Sequence, residues 1–543
     1  MGTPRYKDSN MAVEGGKVIT HGCYAALLPV LDKWRQQYGP TFMFSMGNIQ
    51  VLHMCHPDVV KEMAAYTSFD LGRPTYQKKG LHPLFGEGIV HANGAVWAHQ
   101  RKVMAPEFYT DKVKGMVKLM VESAGSVINE WNREIESVGG VADIKIDEYL
   151  RNFSGQVISK VCFGRNCKEI ILKLRALQEI ACKKVILQGI PGLRSLPTKS
   201  NREMWRLEKE VHSLILKEVN GKKGSESDKN ILQMIVEGAR SSDLSQDEID
   251  TFAVDNCKNI CFPAYENGAV PAIWTLMLLA LHPEWQDKVR AEVLEICNGQ
   301  SPSSGMLNKM KTLTMVIYES LRLYPLGSML TREAFQDTEF GGIKVPKGVS
   351  IWVMLMALYE DPNIWGPDVH KFNPERFGNG INGACQLPHV YIPFGTGPRS
   401  CLGQQFVMSE LKILISLIVS NFTFSLSPKY IHSPVMNLII EPQFGVDLLV
   451  RKEQIFFRVC GSRRKEGYGC GGFLHTKEHI IRVLFSGSCE FRGAAVSELL
   501  DVKIALDIFY KFNGMIVHRV DVTMAATLAL LGVERLNLLE AWW

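Results

Sequence analysis

The stretch Phe394-Gly395-Thr396-Gly397-Pro398-Arg399-Ser400-Cys401-Leu402-Gly403 places a single cysteine in a glycine-rich loop. An apolar run, Phe406 to Ile418, follows closely and predicts a helix. Glycines let backbone amides approach the sulfur, and these amides together with the positive end of the helix stabilise a thiolate. A thiolate held in this way is a ligand suited to iron. Arg399, two residues before Cys401, is placed to meet an anionic group of the same cofactor.

A glycine-rich turn that carries an ordinary buried cysteine is the simplest alternative for such a loop. Five spaced positions coincide here, and the combination resembles the cysteine-ligand loop of the haem-thiolate monooxygenases, the cytochrome P450 superfamily. The resemblance implies haem b as the cofactor and Cys401 as the thiolate ligand of its iron. It also assigns the other four positions to haem binding: Phe394, Gly397, Arg399 and Gly403.

A second motif lies in the helical stretch Val316 to Tyr324. Glu319 and Arg322 are three positions apart, so they share a helix face and can pair, although such a pair is usually solvated. Arg376 follows a turn fixed by proline in Asn373-Pro374-Glu375-Arg376. A buried glutamate between two arginines is rigid when every donor is satisfied. In the resembling superfamily these three positions form a structural triad under the cysteine loop.

Trp97 and Arg101 are four positions apart and share a helix face. A surface cation–π pair is the alternative interpretation. Because a guanidinium pairs bidentately with a carboxylate, an arginine beside an indole is suited to hold a haem propionate. The resemblance assigns Trp97 and Arg101 to propionate contacts, and it adds Arg332 and Arg399 to the same set.

The long helix predicted at residues 246–281 should carry the oxygen chemistry, because the superfamily has an Ala/Gly-Gly-x-Asp/Glu-Thr-Thr pattern there. This chain has Pro263-Ala264-Tyr265-Glu266-Asn267-Gly268 instead. The acid is retained as Glu266, but Asn267 offers an amide where the pattern has a hydroxyl. Pro263 is expected to interrupt the helical hydrogen bonds. The resemblance assigns Glu266 and Asn267 to a modified proton relay. Altered oxygenation, near-loss of oxygenation and haem chemistry without external oxygen activation all stay open.

The bulk composition is that of an ordinary globular protein, with 543 residues, 46% hydrophobic and 22% charged. A net charge of +5 is small for this length and does not favour nucleic-acid binding. It allows a local basic face for an acidic protein partner. The 13 cysteines lack paired Cys-x-x-Cys spacing, which favours a reduced, cytosol-facing compartment.

Apolar periodicity predicts a mainly α domain with a minor β part over residues 21–453. Helical patterns cover residues 96–139, 143–163, 168–186, 201–219, 229–241, 246–281, 285–297, 311–324 and 404–420. Alternation at Thr41 to His53 predicts a strand pair around Gly47-Asn48, and Thr338 to Trp352 predicts strands and turns. Two apolar stretches, Ala269 to Leu281 and Leu411 to Val419, are too short to span a bilayer and predict buried helices.

Residues 21–452 resemble plant haem-thiolate monooxygenases throughout. Three segments look like the branch that includes gibberellin-oxidising enzymes: residues 93–101, 192–203 and 278–286. That branch implies an endoplasmic-reticulum membrane protein on the cytosolic face, an NADPH-dependent flavoprotein reductase as partner, O2, and a diterpenoid acid or another hydrophobic terpenoid as substrate. Residues 1–20 form a short polar N-terminus in which we expect no transmembrane anchor, because no run of about 18 apolar residues is present.

Composition changes near residue 453, and residues 454–543 predict a separate small α/β fragment. Its pattern is strand, strand, helix (Val496 to Phe512) and a final strand-like run (Met515 to Val522). Residues 454–522 look like part of a retroelement-type ribonuclease H fold. Cleavage by two metal ions needs several carboxylates, but the first acid position is Cys460, with Glu498 and Asp521 remaining. We therefore expect an inactive fragment.

The sequence thus predicts a haem monooxygenase that uses O2 and NADPH-derived electrons to hydroxylate or epoxidise a hydrophobic substrate, such as a gibberellin-type diterpenoid. Two alternatives belong to other classes. One is a haem-binding protein whose turnover is lost or uncoupled. The other is nucleic-acid binding or RNA–DNA hybrid hydrolysis by residues 454–543.

Overall fold

The computed structural model describes residues 21–183, 196–221, 230–241 and 244–453, together with residue 19. For five further segments it describes the backbone of strands alone: residues 12–13, 16–17, 456–464, 467–475 and 481–489. The described part is mainly helical with small sheets, and this confirms the predicted fold class.

Helices form most of the molecule because apolar residues recur at helical spacing along much of the chain. The helices of the described part are α1 (Tyr24–Leu27), α2 (Pro29–Tyr38), α3 (Pro57–Ala65), α4 (Thr75–Phe85), α5 (Gly94–Met104), α6 (Thr110–Ser137), α7 (Asp147–Phe163), α8 (Lys168–Cys182), α9 (Lys199–Gly221), α10 (Ile231–Arg240), α11 (Gln246–Leu281), α12 (Pro283–Cys297), α13 (Ser304–Leu307), α14 (Lys311–Leu323), α15 (Leu355–Tyr359), α16 (Pro362–Trp365) and α17 (Gln404–Asn421).

Local sequence signals fix several helix ends. The N-terminus of α11 is a capping box, in which the Ser245 hydroxyl accepts the Glu248 N–H and the Glu248 carboxylate accepts the Ser245 N–H at 2.8 Å. Asn230 and Gln233 form the same reciprocal pair at the start of α10. Gly164 ends α7 in the left-handed region, with φ of 69°. Such signals explain why the predicted bounds of α11 match the observed ones.

The strands form small sheets around the helices. They are β1 (Ala12–Val13), β2 (Gly16–Lys17), β3 (Thr41–Met46), β4 (Ile49–Met54), β5 (Leu71–Gly72), β6 (Val141–Lys145), β7 (Leu330–Ala334), β8 (Thr338–Phe340), β9 (Ile343–Val345), β10 (Ser350–Val353), β11 (Phe422–Leu426), β12 (Pro434–Met436), β13 (Ile440–Pro442), β14 (Asp447–Lys452), β15 (Phe456–Arg464), β16 (Gly467–His475) and β17 (Ile481–Cys489). The largest sheet has the order β3-β4-β10-β7-β5, and a second has the order β11-β14-β6.

The five-stranded sheet joins distant parts of the chain. The predicted strand pair around Gly47 is confirmed as β3 and β4, and β4 then pairs in parallel with β10. Antiparallel pairing of β10 with β7 places Arg332 beside Ile351. The sequence did not predict β7, whose residues are almost all buried and show no alternation. This strand matters because it carries Arg332 to the site.

Two predicted helical stretches are wrong in part. Residues 143–163 do not form one helix, because Val141–Lys145 is a strand (β6) with Ala142 and Ile144 turned inward against β14. Residues 96–139 are divided into α5 and α6 by a short 3-10 turn that contains Pro106. A proline has no N–H to continue the α-helical hydrogen bonds, so the division occurs there.

Helix α11 lies at the centre of the core and contacts α7, α14 and α17. The prediction that the stretches after Ala269 and Leu411 are buried is confirmed, since they lie in α11 and α17. Helix α11 continues through Pro263 and Pro271 as one helix of 36 residues, although each proline lacks the N–H that would donate to the carbonyl oxygen four residues earlier. Among the described residues, no helix is long and apolar enough to cross a membrane.

Three of the last strands, β15, β16 and β17, form an antiparallel sheet in that order. The predicted helix Val496 to Phe512 and the strand-like run Met515 to Val522 lie outside the described residues. The same holds for Glu498 and Asp521. The division into residues 21–453 and 454–543, and the ribonuclease H-like nature of the second part, therefore stay predictions.

Candidate active site

The cysteine loop is closed by its own backbone, since the Cys401 N–H donates to the carbonyl oxygen of Phe394 at 2.7 Å. Gly395 and Gly397 have φ of 71° and 65°, a region that favours glycine. A Cβ added to Gly397 would lie 2.6 Å from the carbonyl oxygen of Ala64 in α3. Glycine at position 397 therefore lets the loop pack directly against that helix.

The loop forms part of the wall of a cavity of about 1900 Å³. Cys401 and Gly403 line the cavity together with Glu266 and Asn267 of α11. Of the ten cysteines whose side chains the structure describes, Cys401 alone is exposed. Apart from Gly403 and its two chain neighbours, no atom of the described residues lies within 4 Å of the position that a Cβ on Gly403 would take. The wall beside the sulfur is therefore open enough for a planar cofactor.

Three features of its surroundings affect the charge of the Cys401 sulfur. Although Cys401 is exposed to the cavity, the surrounding protein desolvates its thiol and raises its pKa, because a low-dielectric environment disfavours the thiolate. The backbone N–H of Gly403 and the guanidinium of Arg101 act in the opposite direction. Since a metal ion binds the thiolate and releases its proton, these two groups stabilise the charge that a ligand sulfur carries.

An indole ring lies between two of the predicted haem-binding arginines. The Cζ atoms of Arg399 and Arg101 are 4.5 and 5.8 Å from the centroid of the Trp97 ring. Arg101 donates to the carbonyl oxygen of Ser400 at 2.9 Å, and Arg399 donates to Oδ1 of Asn93 at 2.9 Å. The structure therefore brings Trp97, Arg101 and Arg399 together beside the loop that contains Cys401.

Four arginines line this cavity and form what we call the cationic cluster: Arg73, Arg101, Arg332 and Arg399. Within the described part of the chain, none of them forms an ion pair with a carboxylate. Burial and mutual repulsion lower the pKa of Arg399 to about 10 and lower the pKa of Arg332 as well. Arg332 donates to the carbonyl oxygen of Thr331 at 2.8 Å, whereas Nε of Arg73 has no hydrogen-bond partner in the described part of the chain. Arginines that line a cavity without a carboxylate partner fit a cofactor that brings carboxylates, as haem does.

Arg73 and His91 also line the cavity, and neither is among the individual site residues predicted from the sequence. His91 is buried, and its Nδ1 has no hydrogen-bond partner among the described residues. Burial, with the charge of Arg73 as the next cause, lowers the pKa of His91 to about 3, so its imidazole is neutral. No spacing in the sequence marks either residue, because the groups around them come from distant segments.

The predicted triad of Glu319, Arg322 and Arg376 is assembled in the core and does not line the cavity. Arg322 donates to both carboxylate oxygens of Glu319 at 2.8 Å, and Nε of Arg376 lies 3.5 Å from Glu319. Arg322 also donates to the carbonyl oxygen of Tyr359, whose hydroxyl accepts the N–H of Ile392 at 2.9 Å. The triad is thus connected to the backbone that leads into the cysteine loop.

The two predicted relay residues share the cavity wall on α11 but differ in their surroundings. Glu266 is buried and forms an ion pair with Arg151 of α7. Burial raises the pKa of Glu266, and the charge of Arg151 opposes that rise. Asn267 is half-buried. Because Pro271 has no N–H, the carbonyl group of Asn267 lacks its usual helical donor four residues on.

Comparison with known proteins agrees with this geometry. Residues 24–446 match the profile of the family described as Cytochrome P450. The chain is 51% identical to cytochrome P450 714B2 of Oryza sativa subsp. japonica over 446 residues. This alignment covers 82% of this chain and 82% of the relative. It is 50% identical to cytochrome P450 714B3 of Zea mays over 448 residues, or 82% of this chain and 83% of the relative. It is 43% identical to cytochrome P450 714A2 of Arabidopsis thaliana over 451 residues, or 80% and 86% of the two chains.

The family match covers most of the chain, and two relatives are about 50% identical to it. These similarities establish the cofactor and the class of reaction. The cavity with its exposed cysteine and uncompensated arginines has the chemistry that a thiolate-bound haem requires. The chain belongs to the cytochrome P450 family, and it is a haem-thiolate monooxygenase that receives electrons from NADPH through a reductase.

Proposed function

We propose that the protein hydroxylates or epoxidises a gibberellin-type diterpenoid, and that Cys401 would ligate the iron of bound haem while the cationic cluster would hold the haem propionates. One observation carries this proposal: Cys401 and four arginines that pair with no carboxylate of the described residues line one cavity. The volume of about 1900 Å³ exceeds that of an ordinary ligand pocket, so a haem and a polycyclic substrate have room together.

Bound haem supplies the oxidising chemistry. The protein itself binds the haem and the substrate, orients them and excludes water. Arg101 and Arg399 are placed beside Trp97 to hold carboxylates, and Arg73 and Arg332 add charge at the same wall. Three segments that line the cavity and lie outside the cysteine loop provide walls for the substrate: residues 262–264, 326–331 and 431–439.

A carbon monoxide difference spectrum of the reduced protein tests the haem site. The wild type should show the red-shifted Soret band of a thiolate-bound haem. Cys401→Ser should abolish that band, and Cys385→Ser, which changes a half-buried cysteine that does not line the cavity, should keep it. A wild-type spectrum without the red-shifted band would contradict the proposed ligand.

Uncoupled oxygen reduction is the second candidate, and one observation favours it: Asn267 offers an amide at the position where the family pattern has a hydroxyl. An amide orients water but does not donate a hydroxyl proton. With reductase and a diterpenoid substrate, uncoupling predicts that NADPH consumption exceeds product and that peroxide accumulates. Asn267→Thr should then raise the product-to-NADPH ratio by on the order of 10-fold. Asn267→Val, which lacks the hydroxyl, should not, and an equal gain in both variants would contradict a proton-relay role.

The similarity to the gibberellin-oxidising branch also supports a proposal for the cellular location of the enzyme. We propose that it works at the cytosolic face of the endoplasmic-reticulum membrane, where a flavoprotein reductase reaches it. Residues 454–543 take no part in this proposal and are interpreted as an inactive ribonuclease H-like fragment. Co-sedimentation of the full chain with microsomes tests the location, and recovery in the supernatant would contradict it.

A further inference from the structure

The distal acid Glu266 is held by a residue from another helix. Arg151 of α7 donates from one guanidinium nitrogen to Glu266 and from the other to Oε2 of Glu441, at 2.6 Å for the second bond. The side chains of Arg151 and Glu266 are almost fully buried, and that of Glu441 is 18% exposed. One buried cation is therefore shared between two carboxylates that belong to separate parts of the fold.

The second carboxylate belongs to a hairpin that faces the cavity. Glu441 lies on β13, which pairs with β12 so that Glu441 is opposite Val435. Residues 433–439 of the hairpin line the same cavity as Glu266. The side-chain amide of Asn437, at the turn, donates to Oε1 of Glu441. A continuous chain of hydrogen bonds thus runs from Asn437 through Glu441 and Arg151 to Glu266.

The charges make this chain sensitive to small displacements. Two carboxyl groups share one guanidinium in largely buried surroundings. A hydrogen bond in such a medium is stronger than in water, and a shift of one carboxylate changes the hold on the other. Any ligand that displaces the hairpin therefore has a physical route to Glu266, about 170 residues away in sequence.

We propose that the hairpin of β12 and β13 couples substrate occupancy to Glu266 through Arg151. A substrate in contact with the hairpin shifts Glu441, and the strength of the ion pair between Arg151 and Glu266 changes as a result. Arg151 and Glu441 are positioning residues, since neither is placed to contact the reacting atoms. This inference rests on the proposed function in one respect, the role of Glu266 as the distal acid.

Ligand affinity tests the coupling without turnover. If ligand contact with the hairpin changes Glu266, then by reciprocity a change at Glu266 must change the affinity of that ligand. The probe is 1-dodecylimidazole, whose ring binds haem iron and whose alkyl chain extends into the cavity. Its dissociation constant is measured by optical titration in the wild type, Glu266→Gln, Glu441→Gln and the double variant. In the protein that retains Glu441, we expect Glu266→Gln to change the dissociation constant of 1-dodecylimidazole about fivefold. In the protein that carries Glu441→Gln, the same replacement should change it less than twofold.

Imidazole alone and Ser433→Ala are the matched controls. Imidazole is too short to reach the hairpin, so its affinity should show no such dependence on Glu441. Ser433→Ala removes the other cross-hairpin side-chain bond, from Ser433 to Gln443 at 2.8 Å, and should leave the effect of Glu266→Gln intact. If Glu441→Gln does not fold, Asn437→Ala interrupts the chain at an exposed position and should reduce the effect.

Equal effects of Glu266→Gln in both backgrounds would overturn the coupling. The carbon monoxide spectrum of each variant distinguishes failure of the proposed coupling from failure of the proposed function. A red-shifted band together with additive effects refutes only the coupling. Absence of that band from the wild type refutes the proposed function before any titration.

Discussion

Glu410 is a carboxyl group in the middle of α17, and neither of its oxygens has a hydrogen-bond partner in the described part of the chain. It faces Gly268 of α11, where any side chain would collide with its carboxyl group and with the Ser154 hydroxyl. That hydroxyl donates to the carbonyl oxygen of Ala264 at 3.1 Å instead. Burial raises the pKa of Glu410 to about 8, so the folded protein keeps this carboxyl protonated at neutral pH.

The replacement Glu410→Gln should remove a pH-dependent loss of stability. Between the ordinary carboxyl pKa of 4.5 and about 8, the folded state binds a proton that the unfolded state does not. The free energy of unfolding of the wild type should therefore fall as pH rises from 5 to 8, by on the order of 3 kcal/mol from this group. Urea unfolding of both proteins at pH 5, 6, 7 and 8 measures the difference.

The control is Glu339→Gln, at an exposed carboxylate, whose unfolding free energy should follow that of the wild type at every pH. A difference between Glu410→Gln and the wild type that stays constant from pH 5 to pH 8 would show that Glu410 ionises normally. It would also remove the argument that the space beside Gly268 holds a neutral acid.

Helix α14 illustrates how one element supports another. Its Glu319 is fully buried, accepts two bonds from Arg322 and also accepts the backbone N–H of Asn373 at 3.0 Å. Arg376 donates to the carbonyl oxygen of Trp365 at 2.6 Å, so it ties the same cluster to α16. A single carboxylate thereby joins α14 to the loops that lead towards Cys401.

Replacing Glu319 by glutamine should destabilise the protein by about 3–5 kcal/mol, because the buried Arg322 loses its counter-charge and Arg376 loses one of its two carboxylate partners. Haem content per chain should fall with stability, since the loop that holds Cys401 depends on these contacts. Denaturant unfolding and the absorbance of the purified protein measure the two effects.

The matched control at this scale is Glu375→Gln, which changes an exposed glutamate that pairs with Lys288 at 3.3 Å. It should alter the unfolding free energy by no more than about 0.5 kcal/mol. Similar small effects of both replacements would mean that the triad adds little to stability.

At the scale of the whole molecule, Glu453 is packed against the core at the end of the described range 244–453. The Glu453 N–H donates to the carbonyl oxygen of Asn421 at 2.9 Å, and its buried carboxylate accepts from the Thr423 hydroxyl. The same carboxylate lies 3.6 Å from Nε of Arg290 in α12. Glu453 therefore belongs to the packed domain, and a boundary one residue earlier would remove a partner of buried groups.

A chain that ends after Glu453 should keep the red-shifted carbon monoxide band and the product profile of the full chain. Its unfolding free energy should change by no more than about 0.5 kcal/mol, because the contacts of Glu453 are retained. The same short chain with Glu453→Ala should lose about 1–3 kcal/mol, since Arg290 and Thr423 lose a charged partner. Loss of the band or of turnover on truncation, or loss of RNA–DNA hybrid binding, would give residues 454–543 a function.

Local patterns predicted much of the secondary structure. Capping residues and uninterrupted apolar periodicity gave the bounds of α11, and the turn at Gly47 gave β3 and β4. Patterns failed where a tertiary neighbour decides the conformation. Strand β7 is buried on both faces and shows no alternation, and β6 exists because β14 offers it an edge.

The sequence by itself determined the family, the ligand loop around Cys401 and the residue types of the haem site, because spacing along a short segment is enough to define them. Only the tertiary structure decided which charges meet. It added Arg73 to the cationic cluster, tied Glu266 to Arg151 and Glu441, and left the Glu410 carboxyl group without a hydrogen-bond partner among the described residues. These outcomes depend on burial and on contacts between segments hundreds of residues apart, and electrostatic energies depend on distance in space rather than on position along the chain.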